Sequence, residues 1–277
     1  MLQEICPMKF ENTYASRQPQ VSDVIFLFNA DRVCCRFDGS VVVFPRFEEF
    51  DTLCPDKCQY LFSIDAVAYF LANETAPKGY EWHDCSISRT ASPRHLAFAL
   101  VTAHDLYRFY ETRAYCGRCG SKSVHGELER SLVCPRCKNV EYPKISPVVI
   151  VGVLHGDSLL MVQSKNHPVG RYSLVAGFCE VGETLEQAVA REVFEETGLR
   201  VKNLHYYKSQ PWGFSSSLLA GFFCELDGSP QITIDEGELR AATWLTRAEI
   251  PQRSEDISLT WEMIELFRSG VDCIKRI

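Results

Sequence analysis

The chain has 277 residues and a formal net charge of −7, so it is long enough for two domains with substantial cores. The acidic balance disfavours a broad electrostatic surface for nucleic acid. No run of about 18 apolar residues is present, and the opening MLQEICPMKF lacks the basic start and apolar run of a signal peptide. We therefore expect a cytoplasmic protein without a membrane span, in which thirteen cysteines favour reduced thiols and a metal site over disulfides.

The first third of the chain predicts an N-terminal mixed β/α domain over residues 1–112. Three β-like runs occupy 24–28, 32–37 and 41–44, and the dipeptide Asp38-Gly39 is typical of a hairpin turn between the last two. We expect these runs to form an antiparallel meander. A long helix should follow, with Ser92 as its N-cap, Pro93 as its first residue and apolar residues at helical spacing towards Tyr110.

Two CxxC pairs predict a metal site over residues 113–142. Cys116 and Cys119 form the first pair and Cys134 and Cys137 form the second, with fourteen residues between the pairs. This spacing is typical of a closed tetrahedral zinc site with four thiolate ligands, which stabilises a segment too short for its own core. A redox-active arrangement is the less favoured alternative. We expect His125, which lies between the pairs, to be a loop residue rather than a spare ligand, and the remaining cysteines to be buried apolar side chains.

The last part of the chain, over residues 143–277, predicts an α/β sandwich on a mixed sheet. Segments with β-like composition alternate there with two predicted helices, the second of which should begin near Thr246 with Glu249 in capping-box position. The predicted strands are PVVIVGVL, SLLMVQS, SLVAGF, LHYYKSQ, SLLAGFFCEL and AATWL.

A dense carboxylate motif precedes and fills the first of these two helices. Thr184 with Gln187 forms a potential capping box and Gly198 suits a left-handed C-cap, so the helix should run from about Leu185 to Thr197. The motif has the spacing G-x5-E-x7-R-E-x-x-E-E-x-G and consists of Gly177, Glu183, Arg191, Glu192, Glu195, Glu196 and Gly198.

Three carboxylates of this motif should line one helix face. Glu192, Glu195 and Glu196 are spaced i, i+3 and i+4, which places them within one turn. Like charges so close together repel, and hard divalent cations would relieve that repulsion. The alternative is a solvated acidic helix face, which is what most Glu-rich runs are.

The motif resembles the Nudix box at every charged and glycine position. The resemblance implies hydrolysis of a nucleoside diphosphate linked to a further group, with Mg or Mn held by oxygen ligands. By position it implies that Arg191 orients the carboxylates and that Glu195 is a supporting ligand or base. The implied metal ligands are Glu192, Glu195, Glu196, Glu238 and the carbonyl of Ala176.

The segment SQPWGFSSS at 209–217 is similar to the SQPWPFPxS motif of the NADH pyrophosphatase branch of the Nudix family, which also carries a four-cysteine ribbon. Gly213 and Ser215 stand where that motif has prolines, so we expect a looser loop. Trp212 and Phe214 suit stacking on a flat base, and their alternative is core packing. The implied substrate contacts are Gln210, Pro211, Trp212, Gly213, Phe214, Ser215, Ser216, Ser217, Glu129 and Tyr142.

The resemblance implies cleavage of NADH or NAD at the pyrophosphate, giving AMP and nicotinamide mononucleotide. It also implies removal of an NAD cap from RNA and a homodimer. Two alternatives stay open: a broader Nudix hydrolase acting on ADP-ribose or another dinucleotide, and a zinc-ribbon module that binds and senses nucleotide without hydrolysis.

Overall fold

The structure is a computed structural model that describes residues 1–166, 168–252, 257–271 and 273–274. The chain forms two compact units. The N-terminal unit comprises Leu2–Lys144 and Gly213–Ser215, and the C-terminal unit comprises Met1, Ile145–Trp212 and Ser216–Ile277. In the described ranges, no helix combines the length and the apolar character that crossing a bilayer requires.

The N-terminal unit contains small sheets and one long helix. Its first two sheets have the strand orders β1-β6-β7-β2 and β3-β4-β5, with β8 beside β4, and its third has the order β11-β10-β9. A 3₁₀ helix, Cys85–Arg89, precedes the long helix. The elements are β1 (Phe10–Glu11), β2 (Val24–Phe26), β3 (Phe28–Asn29), β4 (Arg32–Phe37), β5 (Val42–Val43), β6 (Gln59–Ile64), β7 (Val67–Leu71), β8 (Glu81–Asp84), α1 (Arg94–Thr112), β9 (Val124–His125), β10 (Leu132–Val133) and β11 (Val140–Glu141).

The expected antiparallel meander is only partly present. Strands β3, β4 and β5 are antiparallel neighbours, and Gly39 has a φ of 98° in the predicted turn. Strand β2, however, pairs in parallel with β7 in another sheet, where Val24 lies opposite Tyr69. All three residues of β2 are buried, and a strand that is apolar on both faces gives no alternation from which its partner could be predicted.

Helix α1 begins one residue later than expected. Pro93 is the N-cap and no side chain caps the helix. Ser92 does not cap it because its hydroxyl and its N–H both donate to the carbonyl of Ser40, at 3.2 and 2.7 Å. The apolar spacing did predict the buried face, which includes Leu100 and Val101.

The C-terminal unit is built on one six-stranded mixed sheet. The strand order is β15-β16-β12-β13-β17, and β14 also pairs with β12. Strands β12 and β16 are parallel and the other pairs are antiparallel. The elements are β12 (Ser146–His155), β13 (Ser158–Ser164), β14 (Val175–Phe178), α2 (Leu185–Thr197), β15 (Val201–Trp212), β16 (Ser217–Leu226), β17 (Leu239–Thr246) and α3 (Leu259–Arg268).

Two helices cover opposite faces of this sheet. Along β12 successive side chains alternate between the faces, as in any strand. Val149 and Val151 pack in the core that contains Val193 of α2, whereas Ile150 packs in the core that contains Met263 of α3. The predicted fold class, an α/β/α sandwich on a mixed sheet preceded by a zinc ribbon and a mixed β/α region, is confirmed.

The prediction of a helix near Thr246 is wrong. Thr246 and Glu249 do bond, with the Thr246 hydroxyl donating to Glu249 Oε2 at 2.7 Å, but they form only a turn. Ile250 precedes Pro251, and a residue before proline is disfavoured in helical conformation. The last helix, α3, instead begins at Leu259, after Ser258 as its N-cap.

Candidate active site and zinc ribbon

The box helix has the predicted bounds and caps. Helix α2 spans Leu185–Thr197. Gln187 N donates to the Thr184 hydroxyl at 3.2 Å, and Thr184 N donates to Gln187 Oε1 at 2.9 Å. Gly198 closes the helix in the left-handed region with a φ of 70°. Both ends of the helix that carries the carboxylates are therefore fixed by local bonds.

Arg191 lies at the centre of the box. Its Nε and Nη2 donate to the two oxygens of Glu183, each at 2.8 Å. Its Nη1 donates to Glu192 at 2.7 Å and to Glu195 at 2.9 Å, and Nη2 also donates to the carbonyl of Phe178 at 2.9 Å. All five N–H groups of the guanidinium are thus used. Hydrogen bonding by Arg191 lowers the pKa of Glu183 to about 2.

Glu196 is the buried carboxylate of the box. It is 7% exposed. Burial, followed by the charges of Glu192 and Glu238, raises the pKa of Glu196 to about 8, although the N–H of Ala176 bonds to it and acts in the opposite direction. Burial also raises the pKa of Glu192. A cluster whose ionised form is penalised in this way gains from a nearby cation.

The first glycine of the box provides room for a carboxylate. A Cβ on Gly177 would lie 1.9 Å from the Cδ atom of Glu192. Any side chain at 177 would therefore displace Glu192, which Arg191 holds in place. This close approach explains glycine at the position where β14 passes α2.

The carboxylates of Glu183, Glu192 and Glu195 are arranged around the Arg191 guanidinium. The carboxylates of the box do not meet at one point. Over the described ranges, only the cysteine quartet gathers three or more possible ligand residues with all ligand atoms within 4.8 Å of one another. Glu238 is exposed on the segment before β17. The oxygen-only donors and the buried, mutually repelling carboxylates nevertheless fit a hard divalent cation such as Mg or Mn.

The four cysteines of the ribbon do converge. The Sγ atoms of Cys116 and Cys137 are 3.5 Å apart, and those of Cys119 and Cys134 are 3.4 Å apart. Zinc–sulfur bonds of about 2.3 Å in a tetrahedron place sulfurs roughly 3.8 Å apart. A backbone bond from Ser121 lowers the pKa of Cys119 to about 6. Against the lowering effect of a backbone bond from Asn139, burial and the neighbouring thiols raise the pKa of Cys137 to about 11, so Cys119 forms the metal-binding thiolate more readily than Cys137. The quartet therefore fits structural zinc.

The other cysteines and His125 lie outside this quartet. His125 lies in β9 and not in a loop as expected, with its ring 4.8 Å from that of Tyr110. Cys6 and Cys54 are exposed, so burial does not hold for every remaining cysteine. The buried ones are Cys34, Cys35, Cys85, Cys224 and Cys273.

In the C-terminal unit, the predicted substrate segment begins with a buried residue, Gln210. Gln210 is fully buried, its Nε2 donates to the carbonyl of Ile257 at 2.8 Å, and its Oε1 accepts from Leu259 N at 2.6 Å. This amide therefore helps to fix the start of α3. Trp212 packs against the core on the α3 side, as in the core-packing alternative, and Ser217 is buried in β16.

The tip of the segment, Gly213–Ser215, belongs to the N-terminal unit. There the guanidinium of Arg89 lies 4.2 Å from the centre of the Phe214 ring and covers one face of it. The carbonyls of Gly213 and Phe214 accept hydrogen bonds from Arg108. Long-range contacts that the sequence does not reveal therefore hold the tip, and the expectation that Gly213 makes the loop looser stays a prediction.

Two other predicted substrate contacts, Glu129 and Tyr142, meet in the N-terminal unit. The Tyr142 hydroxyl donates to Glu129 Oε1 at 2.6 Å, and this bond raises the pKa of Tyr142. Both residues are exposed. Sequence reasoning had selected them only by resemblance and gave no reason for the pair to be in contact.

The structure also draws attention to a residue that the sequence analysis missed. Phe178 is 54% exposed and its carbonyl accepts from Arg191, so the backbone of an accessible aromatic residue helps to hold the centre of the box. Its position inside the box, directly after Gly177, was the available signal. The box pattern fixes no residue type there, so the signal was not used.

Two segments of the chain match known domain families. Residues 144–267 match the NUDIX domain, and residues 112–142 match the NADH pyrophosphatase zinc ribbon domain. The two matches follow one another along the chain, the zinc ribbon domain first and the NUDIX domain second. The resemblance drawn from the box and the CxxC pairs is confirmed.

Individual proteins are also similar to part of the chain. Over 147 residues the chain is 46% identical to the NAD-capped RNA hydrolase NudC of Escherichia coli (strain SMS-3-5 / SECEC), and 47% identical to the protein of that name from Shigella flexneri. Each match covers 53% of this chain and 57% of the relative, so the chain spans little more than half of their length. A NUDIX hydrolase structure from Nitrosomonas europaea is similar with 22% identity and a TM-score of 0.48, covering 56% of this chain and 90% of that one.

Proposed function

We propose that the chain is a divalent-metal-dependent hydrolase that cleaves the pyrophosphate of NADH or NAD into AMP and nicotinamide mononucleotide. The observation that carries the proposal is the arrangement on α2, where Arg191 bonds three carboxylates and Glu196 is buried beside them. The family matches over 112–142 and 144–267 support it.

In this proposal the chain holds its metal, Mg or Mn, through oxygen donors. The donors are the side chains of Glu192, Glu195, Glu196 and Glu238 and the carbonyl of Ala176. When bound, divalent cations neutralise the charge of a diphosphate and lower the pKa of a coordinated water. Arg191 holds Glu192 and Glu195 in fixed positions, and the exposed Glu195 acts as a supporting ligand or as the base that accepts a proton.

The substrate would contact the loop at 210–217 and the pair formed by Glu129 and Tyr142. Removal of NAD caps from RNA is part of the same proposal, and the name of the relatives supports it. The substrate contacts are Gln210, Pro211, Trp212, Gly213, Phe214, Ser215, Ser216 and Ser217, together with Glu129 and Tyr142.

Assembly, location and domain division belong to the proposal as well. We assign a homodimer, which sedimentation at working concentration would test. A cytoplasmic location is supported by the nine cysteines outside the zinc quartet, none of which is in a disulfide, because reducing compartments keep cysteines unpaired. The division into 1–112, 113–142 and 143–277 is supported by the bounds of the two family matches.

Product analysis with NADH and Mg or Mn tests the reaction and the site together. The wild type should yield AMP and reduced nicotinamide mononucleotide. Glu196→Gln should lose at least about a hundredfold in kcat/KM, because it removes a buried charged donor. Glu186→Gln is the matched control, since Glu186 is exposed in the first turn of the same helix, and it should retain activity.

The outcomes separate the alternatives. Faster cleavage of ADP-ribose than of NADH or NAD would indicate the broader Nudix hydrolase. Tight nucleotide binding without metal-dependent cleavage of any of the three would indicate the sensing module and would contradict the proposed reaction.

A further inference from the structure

The tip of the loop between β15 and β16 is held by its backbone. Within the N-terminal unit, Arg108 Nη2 donates to the carbonyl of Gly213 at 2.6 Å and Nη1 donates to the carbonyl of Phe214 at 3.1 Å. Asp105, one turn earlier on α1, accepts from Nη2 at 3.0 Å. A planar guanidinium that bonds two successive carbonyls fixes both the position and the orientation of a segment, because its donors have a rigid geometry.

Gly213 lies directly against α1. A Cβ at this position would be 2.8 Å from Val101 Cγ1 and 3.0 Å from the Val101 carbonyl oxygen. The φ of Gly213 is not among the positive values of the chain. Glycine is therefore required here for space rather than for backbone conformation, and a proline, which has a Cβ, would not fit without movement.

The side chain of Phe214 provides a third point of attachment. Arg89, at the end of the 3₁₀ helix Cys85–Arg89, lies 4.2 Å above the ring, a cation–π geometry. Beside the tip is a cavity of about 360 Å³ whose lining includes Arg89, Arg108, Gly213 and Phe214. The loop tip thus forms one wall of a cavity that its two arginine contacts help to shape.

The related motif has prolines where this chain has Gly213 and Ser215. Prolines stiffen a loop from within, since they restrict φ in the unbound chain. A loop without them loses more conformational entropy when it is ordered for binding. We propose that Arg108 is a positioning residue of the substrate loop, and that its bonds to Gly213 and Phe214 replace the missing internal stiffness. This inference rests on the proposed function in so far as the loop binds substrate.

Kinetics of three variants provide the first test. Arg108→Met removes the donors at similar length, Arg108→Lys keeps a charge and fewer donors, and Arg113→Met is the control, since Arg113 is exposed just after α1. With NADH as substrate, KM should rise about tenfold in Arg108→Met and less in Arg108→Lys, and it should stay unchanged in Arg113→Met. The kcat of all three variants should stay within about twofold of the wild-type value. A fall in kcat and Tm without partial rescue by lysine would overturn the proposal.

Hydrogen exchange provides a readout that does not need turnover. The amides of 213–216 should exchange faster in Arg108→Met than in the wild type or in Arg113→Met. Unchanged exchange would overturn the proposal even if NADH is cleaved normally. Faster exchange in a protein that cleaves none of NADH, NAD and ADP-ribose would support the anchoring while it overturned the proposed function.

Restoring the first proline gives an independent check. Because a Cβ at 213 collides with Val101, Gly213→Pro should raise KM and speed exchange of the loop. If the loop lacked only internal stiffness, Gly213→Pro would instead lower KM. A lower KM would therefore overturn the proposal.

Discussion

The ribbon and the box bring together the same number of acidic side chains in different ways. Four cysteine ligand atoms lie within 4.8 Å of one another, whereas the carboxylates of Glu183, Glu192 and Glu195 are arranged around Arg191. A thiol has an ordinary pKa near 8.5 and can keep its proton, but a carboxyl group near 4.3 is charged at neutral pH. Thiols can therefore share a small volume before a metal is bound, whereas carboxylates need a permanent cation between them.

The ribbon side of this comparison predicts the largest effect. Cys134→Ser should reduce bound zinc from about one per chain to near zero and remove the ribbon's contribution to folding, since structural zinc sites contribute on the order of 10–16 kcal/mol in small peptides. Metal analysis and thermal unfolding measure both quantities. Cys54→Ser is the control, because Cys54 is exposed in the same unit. Full zinc content in Cys134→Ser would contradict the four-thiolate site.

In the box, we expect Glu196→Gln to be more stable than the metal-free wild type although it loses activity. The pKa of Glu196 is raised to about 8, above its unfolded value of about 4.3. The contribution of Glu196 to the free energy of unfolding is therefore most favourable below about pH 4.3, and it is lost as the pH rises through 8. In protein free of magnesium and manganese, Glu196→Gln should be more stable than the wild type at pH 8, by on the order of 1–3 kcal/mol, with the gap closing towards pH 4.

Magnesium provides the control for that experiment. Added magnesium should narrow the gap in Tm, because only the wild type offers it the Glu196 carboxylate. Thermal melts across pH, with and without the ion, give the comparison. A wild type that is more stable than the variant at pH 8 without magnesium would show that this carboxylate does not carry the burial penalty.

A smaller effect of opposite sign is expected at Glu183. Arg191 lowers the pKa of Glu183 to about 2, so its stabilising contribution is complete above about pH 4.3 and is lost as pH falls through 2. Glu183→Gln should lower Tm at pH 7 by a few degrees at most, and the difference should vanish near pH 2. A difference that is constant over this range would contradict the role of Arg191 as the counter-charge of the box.

The parts of the molecule that the sequence predicted well depend on local bonds. Helix α2 has its predicted bounds because the residues that cap it, Thr184, Gln187 and Gly198, lie at its own ends. Each CxxC pair is also closed by a local bond, since Gly120 N donates to the carbonyl of Cys116 at 2.9 Å and Lys138 N donates to that of Cys134 at 3.0 Å. In contrast, the parallel partner of β2 is more than 40 residues away, and no local pattern identifies it.

The candidate site divides in the same way. Helical spacing predicted the face shared by Glu192, Glu195 and Glu196. It did not predict that Gly177 makes room for Glu192, or that Gly213 does so for Val101. At both positions a glycine is needed because the tertiary fold brings another residue's atoms close to its Cα. The sequence shows that these residues have no side chain, but it does not show which atoms lie next to them.

The five donors of Arg191 have a consequence for substrate attraction. Each N–H of this guanidinium already bonds a carboxylate or the carbonyl of Phe178, so Arg191 can hold a phosphate only by releasing one of them. In the proposed reaction Arg191 then offers no free donor to the diphosphate, and the divalent ions supply positive charge at the box. Affinity for the dinucleotide would consequently follow the free concentration of those ions, and the enzyme would respond to the ionic state of its compartment as well as to its substrate.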